Sequence, residues 1–492
     1  MSTTITDTQY RRWCIISLVV MVVTAWFSVG FYHPDEHFQV LEFYSWKKGL
    51  SPAADLPWEF GTHCRAALQP FIVYCVGGVL NVIGITDPFM LAFVLRLMMA
   101  VLTWYTAIRL IRVLTPSLSQ AKAQWLYAAA NLFLWFVPYI GVRFSSEAIA
   151  ADLFFLALSL IIYVKDEAKA QQVKHIAVAG LLLGFTLFFR LQMAFAFAGL
   201  GIWVLFVSKW AWHRWLLLAA FVLVAMGLSV VVDHWFYGIW TFTPYNYFDV
   251  NIIQKVAAKF GVEPWWWYIT KFIKMGIEPF SIPLLILFGI GIWRKPLHLF
   301  SLVSITFFIG HFAIGHKEMR FLFPGSFAFI YIACLGADVL LQRFTWRKGY
   351  TIAFRVLAGV NIAILVFKMF TPAEEVMNYF KFINYHSRQQ PTTLIAFGKS
   401  PYRMGLAECN FYKYPGMKIQ VLDSATQLPQ VLADNKGRDV ILLNDNLSVP
   451  AGLAGYNAQR IYCEYPDWVL RNNINNWQER SYIWAVFRVS SK

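Results

Sequence analysis

The chain has 492 residues, 58% of them hydrophobic and only 14% charged, with a mean hydropathy of +0.52. Soluble domains carry roughly 25% charged residues, so this composition excludes an ordinary soluble enzyme and implies a polytopic α-helical membrane protein. A net charge of +15 would suggest nucleic acid in a soluble protein. Here the basic residues sit in short loops between apolar runs, where they report orientation, and no nucleic-acid partner is expected.

In chain order, the start MSTTITDTQYRRW is polar, then basic, then apolar, with no small-residue cleavage site. It is expected to be an uncleaved first span with its amino end inside. Apolar segments fall near residues 13–31, 89–108, 124–142, 148–164, 175–191, 193–208, 215–233, 279–293, 297–315, 321–341 and 350–370, about eleven spans in all. The basic connections Arg109/Arg112/Lys122, Lys165/Lys169/Lys174, Lys209/Arg214, Arg294/Lys295 and Arg343/Arg347/Lys348 all fall inside on one condition. The apolar stretch 69–85 must not cross on its own, so a helix lying along or dipping into the outer leaflet is expected there.

That topology places the chemically distinctive loops on the face away from the cytoplasm and leaves short, merely basic loops inside. Past residue 371 the chain turns polar, with strand-like runs TTLIAFG, KIQVLD, DVILLND, AQRIYCEY and SYIWAVFRV, and a short helix expected at ATQLPQVLAD. The expected organisation is therefore a transmembrane catalytic domain over 1–370, its first outward loop over 32–88, and a small α/β domain outside over 371–492. The six cysteines contain no C-x-x-C pair. Cys409 and Cys463, in the tail, could form a disulfide in an oxidising compartment.

Three constellations carry candidate chemistry. The first is GFYHPDEHFQVLEFYSWKKG after the first span. Pro34 suits a first helical position, and Asp35 and Glu36 would occupy the first turn, where the helix dipole favours carboxylates. A regular helix would put Asp35, Gln39 and Glu42 on one face. Such acids can serve as a general base at the membrane surface or merely cap an amphipathic helix. The same HPDEH also fits the inverted zincin pattern, with two His at helical spacing and a Glu as base.

The second is IGHKEMRFLFP. A helical turn would converge His316, Lys317 and Arg320, three donors suited to a lipid phosphate. The bland alternative is an interfacial ion-pair cluster with Glu318. The third group is aromatic and polar: Trp58, Glu59 and Arg65; Arg190 and Gln192 at the outer end of a span; Asp233, Trp235, Tyr237 and Asn246; and Trp266 in EPWWWY. Trp and Tyr runs are normal in interfacial belts. Polar residues interleaved with rings also suit sugar hydroxyls and C–H faces, so these are candidate substrate-binding residues. No metal site and no cofactor are expected.

HPDE, WE…G…CRA, DHWFYGIWTFTPYNYFDVN, EPWWWY and HKEMRFLFP occur in this order and together resemble glycosyltransferase family 22. These are GT-C mannosyltransferases that use dolichyl- or polyprenyl-phosphate mannose. The nearest likeness is to the branch adding the third mannose of glycosylphosphatidylinositol anchors, in a bacterial member. The likeness covers roughly residues 13 to 345. It implies a GT-C fold and inverting transfer from a polyprenyl- or dolichyl-phosphate sugar, without a required metal, to a glycan or glycolipid acceptor. By position, Asp35 would be the catalytic base, Glu36 would support it or orient the acceptor, and His316, Lys317 and Arg320 would hold the donor phosphate. The family usually has a second acid after the Glu of H-K-E, where this chain has Met319.

The expected location is a bacterial inner membrane with the site facing the periplasm, the endoplasmic reticulum being the alternative. Competing readings are a lipid or glycolipid transporter, a membrane zinc metalloprotease using HPDEH, and a membrane-anchored binding protein whose tail does the work.

Overall fold

The structure, a computed structural model, describes residues 7–166, 168–344, 348–374, 376–405, 407–448, 453 and 455–491. Arg347 of the last basic connection lies outside the described residues. The chain forms two compact units. One comprises residues 1–28, 58–83 and 92–371; the other comprises 29–57, 84–91 and 372–492.

The first unit is a helical membrane domain, and the protein is multi-pass. Among the described residues, seven helices are long and apolar enough to cross a bilayer: Asp7–Phe27, Pro88–Ser117, Ser146–Asp166, Lys169–Phe189, Trp212–Tyr237, Met319–Arg343 and Gly349–Phe370. The four remaining expected segments are shorter or broken. Segments 279–293 and 297–315 become the pair Glu278–Arg294 and Leu299–Ala313, bent by 120°, and 193–208 falls within Leu191–Val207. Segment 124–142 divides into Ala121–Phe133 and Phe136–Gly141. At that break the Asn361 amide accepts from Trp135 N–H at 3.0 Å and donates to the Phe133 carbonyl at 2.8 Å. The opened backbone groups thereby keep partners where water is scarce.

Close helix contacts run through glycine. A Cβ on Gly180 would stand 2.7 Å from the Leu218 carbonyl oxygen, and one on Gly184 2.5 Å from that of Val222. Small residues four apart let Lys169–Phe189 and Trp212–Tyr237 approach backbone to backbone. Elsewhere, Asp338 accepts from Ser119 and Gln120 backbone N–H groups at 3.2 and 2.7 Å, tying the end of one span to another. The stretch 69–85 forms the helix Leu68–Val82. Its 15 residues rise about 22 Å, short of a hydrocarbon core of about 30 Å. The segment 58–83 that holds it leaves the second unit and returns to it.

The second unit carries a five-stranded sheet. Its strands are β1 (Thr392–Phe397), β2 (Lys418–Leu422), β3 (Asp439–Asn444), β4 (Asn457–Cys463) and β5 (Ala485–Ser490), in the order β2-β1-β3-β5-β4. All five runs legible in the sequence are strands, and ATQLPQVLAD holds the helix Leu428–Asp434. β1 pairs parallel with β2 and β3; β5 pairs antiparallel with β3 and β4. The chain leaves β1 for β2 on one side and crosses back through the helix Leu428–Asp434 to β3 on the other, which suits the parallel pairing of all three. Ile395, Leu428, Leu442 and Phe487 pack in its core. The helix Val376–Gln389 buries Met377, Phe380, Ile383, Asn384 and Ser387, a stripe at helical spacing. The envisaged Cys409–Cys463 disulfide is not formed: both thiols are free. Cys409 is held inside by its N–H bond to the Tyr402 carbonyl at 2.7 Å, whereas Cys463 ends strand β4.

Candidate active site

In the loop after the first span, Pro34 takes helical angles at the head of the short helix Asp35–His37. The Glu36 carboxylate accepts from the Tyr32 N–H at 3.3 Å. His33 Nδ1 accepts from the Asp35 N–H at 3.3 Å and lies 3.4 Å from Asp35 Oδ1. The Asp35 side chain remains 23% exposed.

The expected shared face of Asp35, Gln39 and Glu42 does not form. Residues Phe38–Glu42 wind as a π-helical turn, and Glu42 is fully buried. The wider turn brings residues five apart into register. His37 Nε2 and Glu42 Oε1 meet at 2.8 Å, and Ser51 donates to Glu42 Oε2 at 3.3 Å. The neighbours Phe38, Val40, Leu41 and Phe43 are buried with it, which leaves Glu42 no route to solvent. The two histidines of HPDEH therefore serve different partners. Among the described residues no group of three or more His, Cys, Asp or Glu side chains is placed to hold a metal.

The cations of HKEMR lie in the membrane unit. The expected helical turn is replaced by bends and extended backbone through residue 318, followed by the 3-10 helix Met319–Gly325. Backbone pairing explains this: the Gly315 carbonyl accepts from the Glu263 N–H at 2.9 Å, and His316 Nδ1 lies 3.0 Å from the Gly261 carbonyl. His316 and Arg320 converge on Glu318, at 3.0 and 2.5 Å. Lys317 goes elsewhere. Its ammonium donates to the Ile314 carbonyl and sits 5.9 Å from the centre of the Tyr268 ring.

Glu147 completes the group. Its Oε1 lies 3.2 Å from Arg190 Nη2 and 3.3 Å from Arg320 Nη1, and its Oε2 accepts from Ser146 at 3.1 Å. Both guanidinium groups also stand over Phe321, at 4.9 and 5.3 Å from the ring centre. Glu147 is 2% exposed, and Arg190, Lys317 and Arg320 are each 5%. Arg190 and Arg320 against Glu147 and Glu318 balance, 2 − 2 = 0, and Lys317 bonds neither carboxylate. The hydrogen bond to Glu318 raises the His316 pKa above its ordinary value, and burial lowers that of Lys317.

The aromatic and polar candidates divide into two kinds. Asp233 accepts from the Ala67 N–H and the Thr243 hydroxyl, both at 2.7 Å. Tyr237 donates to the Arg65 carbonyl at 2.7 Å, and Asn246 donates to the His63 carbonyl at 3.0 Å. These three fasten segment 58–83 and the 241–248 turn to the end of a span. Trp235 packs edge-on against Phe71 and Tyr74. Glu59 lies 3.5 Å from Arg65, whose guanidinium stands 5.4 Å from the Tyr247 ring. Trp58 and Trp266 are exposed, Trp58 stacking on Phe260. Gln192 is half-buried with its carbonyl oxygen unpartnered among the described residues.

The sequence places Arg143 to Glu147 in an expected outward loop with chemical character, but nothing in it singles out Glu147 as a site residue. The usable clue was topological: Glu147, Arg190 and Arg320 all fall at the expected outward ends of spans.

The helical membrane unit, the carboxylate and cation groups, and the terminal α/β sheet define a membrane protein of the GT-C fold. Its backbone is similar to ArnT from Cupriavidus metallidurans bound to undecaprenyl phosphate, at 11% identity over 98% of both chains with a TM-score of 0.54. It is also similar to the Archaeoglobus fulgidus oligosaccharyltransferase, at 10% identity over 89% of this chain and 69% of that one, with a TM-score of 0.50. The chain belongs to the Alg9-like mannosyltransferase family, whose pattern matches residues 13–407. Among its relatives, the mouse GPI alpha-1,2-mannosyltransferase 3 is 27% identical over 341 residues, 67% of this chain and 58% of that protein. The Candida albicans GPI mannosyltransferase 3 is 25% identical over 350 residues, 70% of this chain and 65% of that protein. The chain thus spans less than two thirds of the length of either.

Proposed function

We propose that the protein is an inverting membrane glycosyltransferase that moves a sugar from a polyprenyl-phosphate donor to a glycan or glycolipid acceptor. The reacting face is the one away from the cytoplasm. The carrying observation is the buried group of Arg190, Lys317 and Arg320 against two carboxylates. Lys317, which bonds neither carboxylate, is the cation suited to the single negative charge of a phosphodiester. Cations at the outer end of spans are costly unless they pair or bind an anion. A lipid-linked donor delivers its phosphate at that depth.

In this reading Arg320, Lys317 and Arg190 hold the phosphate, His316 sets the local charge through Glu318, and the cations stabilise the charge that grows on the leaving phosphate. Asp35, partly exposed, takes the acceptor hydroxyl proton, and Glu36 stiffens its loop. Attack opposite the leaving phosphate inverts the anomeric carbon. Trp58, Trp266 and Gln192 are the candidates to touch sugar. Asp233, Tyr237 and Asn246 support the loop beside them.

The names of the relatives support mannose as the sugar. Compact loops support a bacterial inner membrane with the site facing the periplasm, while eukaryotic relatives make the endoplasmic reticulum the alternative. Donor competition tests the reading: purified protein receives polyprenyl-phosphate mannose against the glucose, galactose and arabinose equivalents, with lipid extracts as acceptors. Mannose transfer with an inverted anomeric centre is expected. Failure of every polyprenyl-phosphate sugar to react would overturn it.

A further inference from the structure

We propose that residues 410–412 of the tail form a latch that fixes the loop bearing Asp35, with His37 and Glu42 as its positioning residues. The latch rests on the reading of Asp35 as the base. It lies just past residue 407, where the family match ends.

All its contacts fall within one compact unit. Glu42 Oε1 accepts from the Phe411 N–H at 2.9 Å and meets His37 Nε2 at 2.8 Å. Tyr412 stacks on the His37 ring at 5.5 Å and 15°, and Phe411 meets it edge-on at 6.4 Å. Asn410 donates to Asp55 at 2.8 Å, tying down the far end of the same loop. The latch is itself anchored: Asn384 donates to the Tyr412 carbonyl at 2.8 Å, and Phe89 stacks on the Tyr412 ring at 4.7 Å.

Three tail residues, Asn410, Phe411 and Tyr412, thus bind the loop 29–57, the stretch 84–91 and the helix Val376–Gln389 at once. His37 ends the one-turn helix that Asp35 begins. Holding its ring fixes the turn, and with it the direction of the Asp35 side chain. A carboxylate as buried as Glu42 is a costly way to join two segments where an apolar contact would serve. It has a use if the join must hold one orientation.

The test uses the full-length enzyme in lipid nanodiscs, reading transfer kinetics, melting temperature and amide exchange of peptides covering 31–42. Tyr412→Leu removes the stack, and Tyr412→Phe retains it. Tyr412→Leu is expected to speed exchange in 31–42 and lower kcat about tenfold or more, with donor KM changed less than about twofold. Tyr412→Phe should restore kcat. In an Asp35→Asn background, Tyr412→Leu should cause no further loss, because the latch acts through Asp35. Should Tyr412→Leu not fold, Glu42→Gln replaces the shared charged acceptor with one of equal size and should shift kcat the same way.

Unchanged exchange in 31–42 would overturn the latch. So would a lowered melting temperature with kcat of the folded enzyme intact, which marks a purely structural contact. Wild-type turnover by Asp35→Asn would instead overturn the base assignment, and the exchange measurement would still decide whether the latch exists.

Discussion

Arg320 bonds two carboxylates at once, through Nε to Glu318 and Nη1 to Glu147, and no single-point ammonium can reproduce that. Arg320→Lys should therefore lose roughly ten- to a hundredfold in transfer, about 1.5–3 kcal/mol, part of it in the chemical step, as steady-state donor kinetics would show. The bland ion-pair reading differs. It allows Arg320→Ala with Glu318→Gln to restore wild-type transfer, an outcome that would remove the phosphate site from this cluster. His316 adds a pH dependence. Its folded pKa stands above the ordinary 6.5 because Glu318 accepts from it. A raised folded value means that its contribution to stability is complete below about pH 6.5 and fades as pH rises through the folded pKa. Melting curves from about pH 5.5 to about 8.5 should show that decline in the wild type and not in His316→Asn. The residues His316, Lys317 and Arg320 were legible as cations out of place. Their geometry was not: the backbone pairing with Gly261 and Glu263 comes from a segment more than 50 positions away.

The helices and strands were legible wherever composition and period agreed. β1 and β3 are short apolar runs between turn residues, and both sit inside the sheet. The broken elements were less legible. Pro138, four residues after Leu134, is the local signal for the break, but Asn361, the group that satisfies the opened backbone, belongs to another helix. Asn361→Leu should leave the Phe133 carbonyl and Trp135 N–H without that partner in a dry setting. The expected cost is about 1–3 kcal/mol, read as a lower unfolding midpoint in detergent. The π-helical turn at Phe38–Glu42 was hidden for the same reason: it accompanies the burial of Glu42 against His37 and Phe411, which helical spacing does not anticipate.

At the scale of the whole molecule, residues 29–57, 84–91 and 372–492 form one compact unit, and such a unit stands on one side of a bilayer. The chain must then cross an even number of times between residues 91 and 372. Among the described residues, the six helices of spanning length that lie there are an even number. With Arg11 and Arg12 inside, as expected from the sequence, the tail is expected outside. Cys463, a free and partly exposed thiol, should react with a membrane-impermeant reagent in sealed cells or vesicles of native orientation. Labelling only after lysis would reverse the topology. The central claim is that Asp35 removes the acceptor proton while the cations hold a lipid-linked phosphate. It meets its most direct test in one paired measurement on Asp35→Asn: single-turnover mannose transfer from polyprenyl-phosphate mannose, beside equilibrium binding of the same donor. Transfer should fall at least about a hundredfold, within the range attributed to a positioned base, with donor affinity nearly unchanged. Transfer at the wild-type rate, or loss of donor binding in step with transfer, would contradict the account.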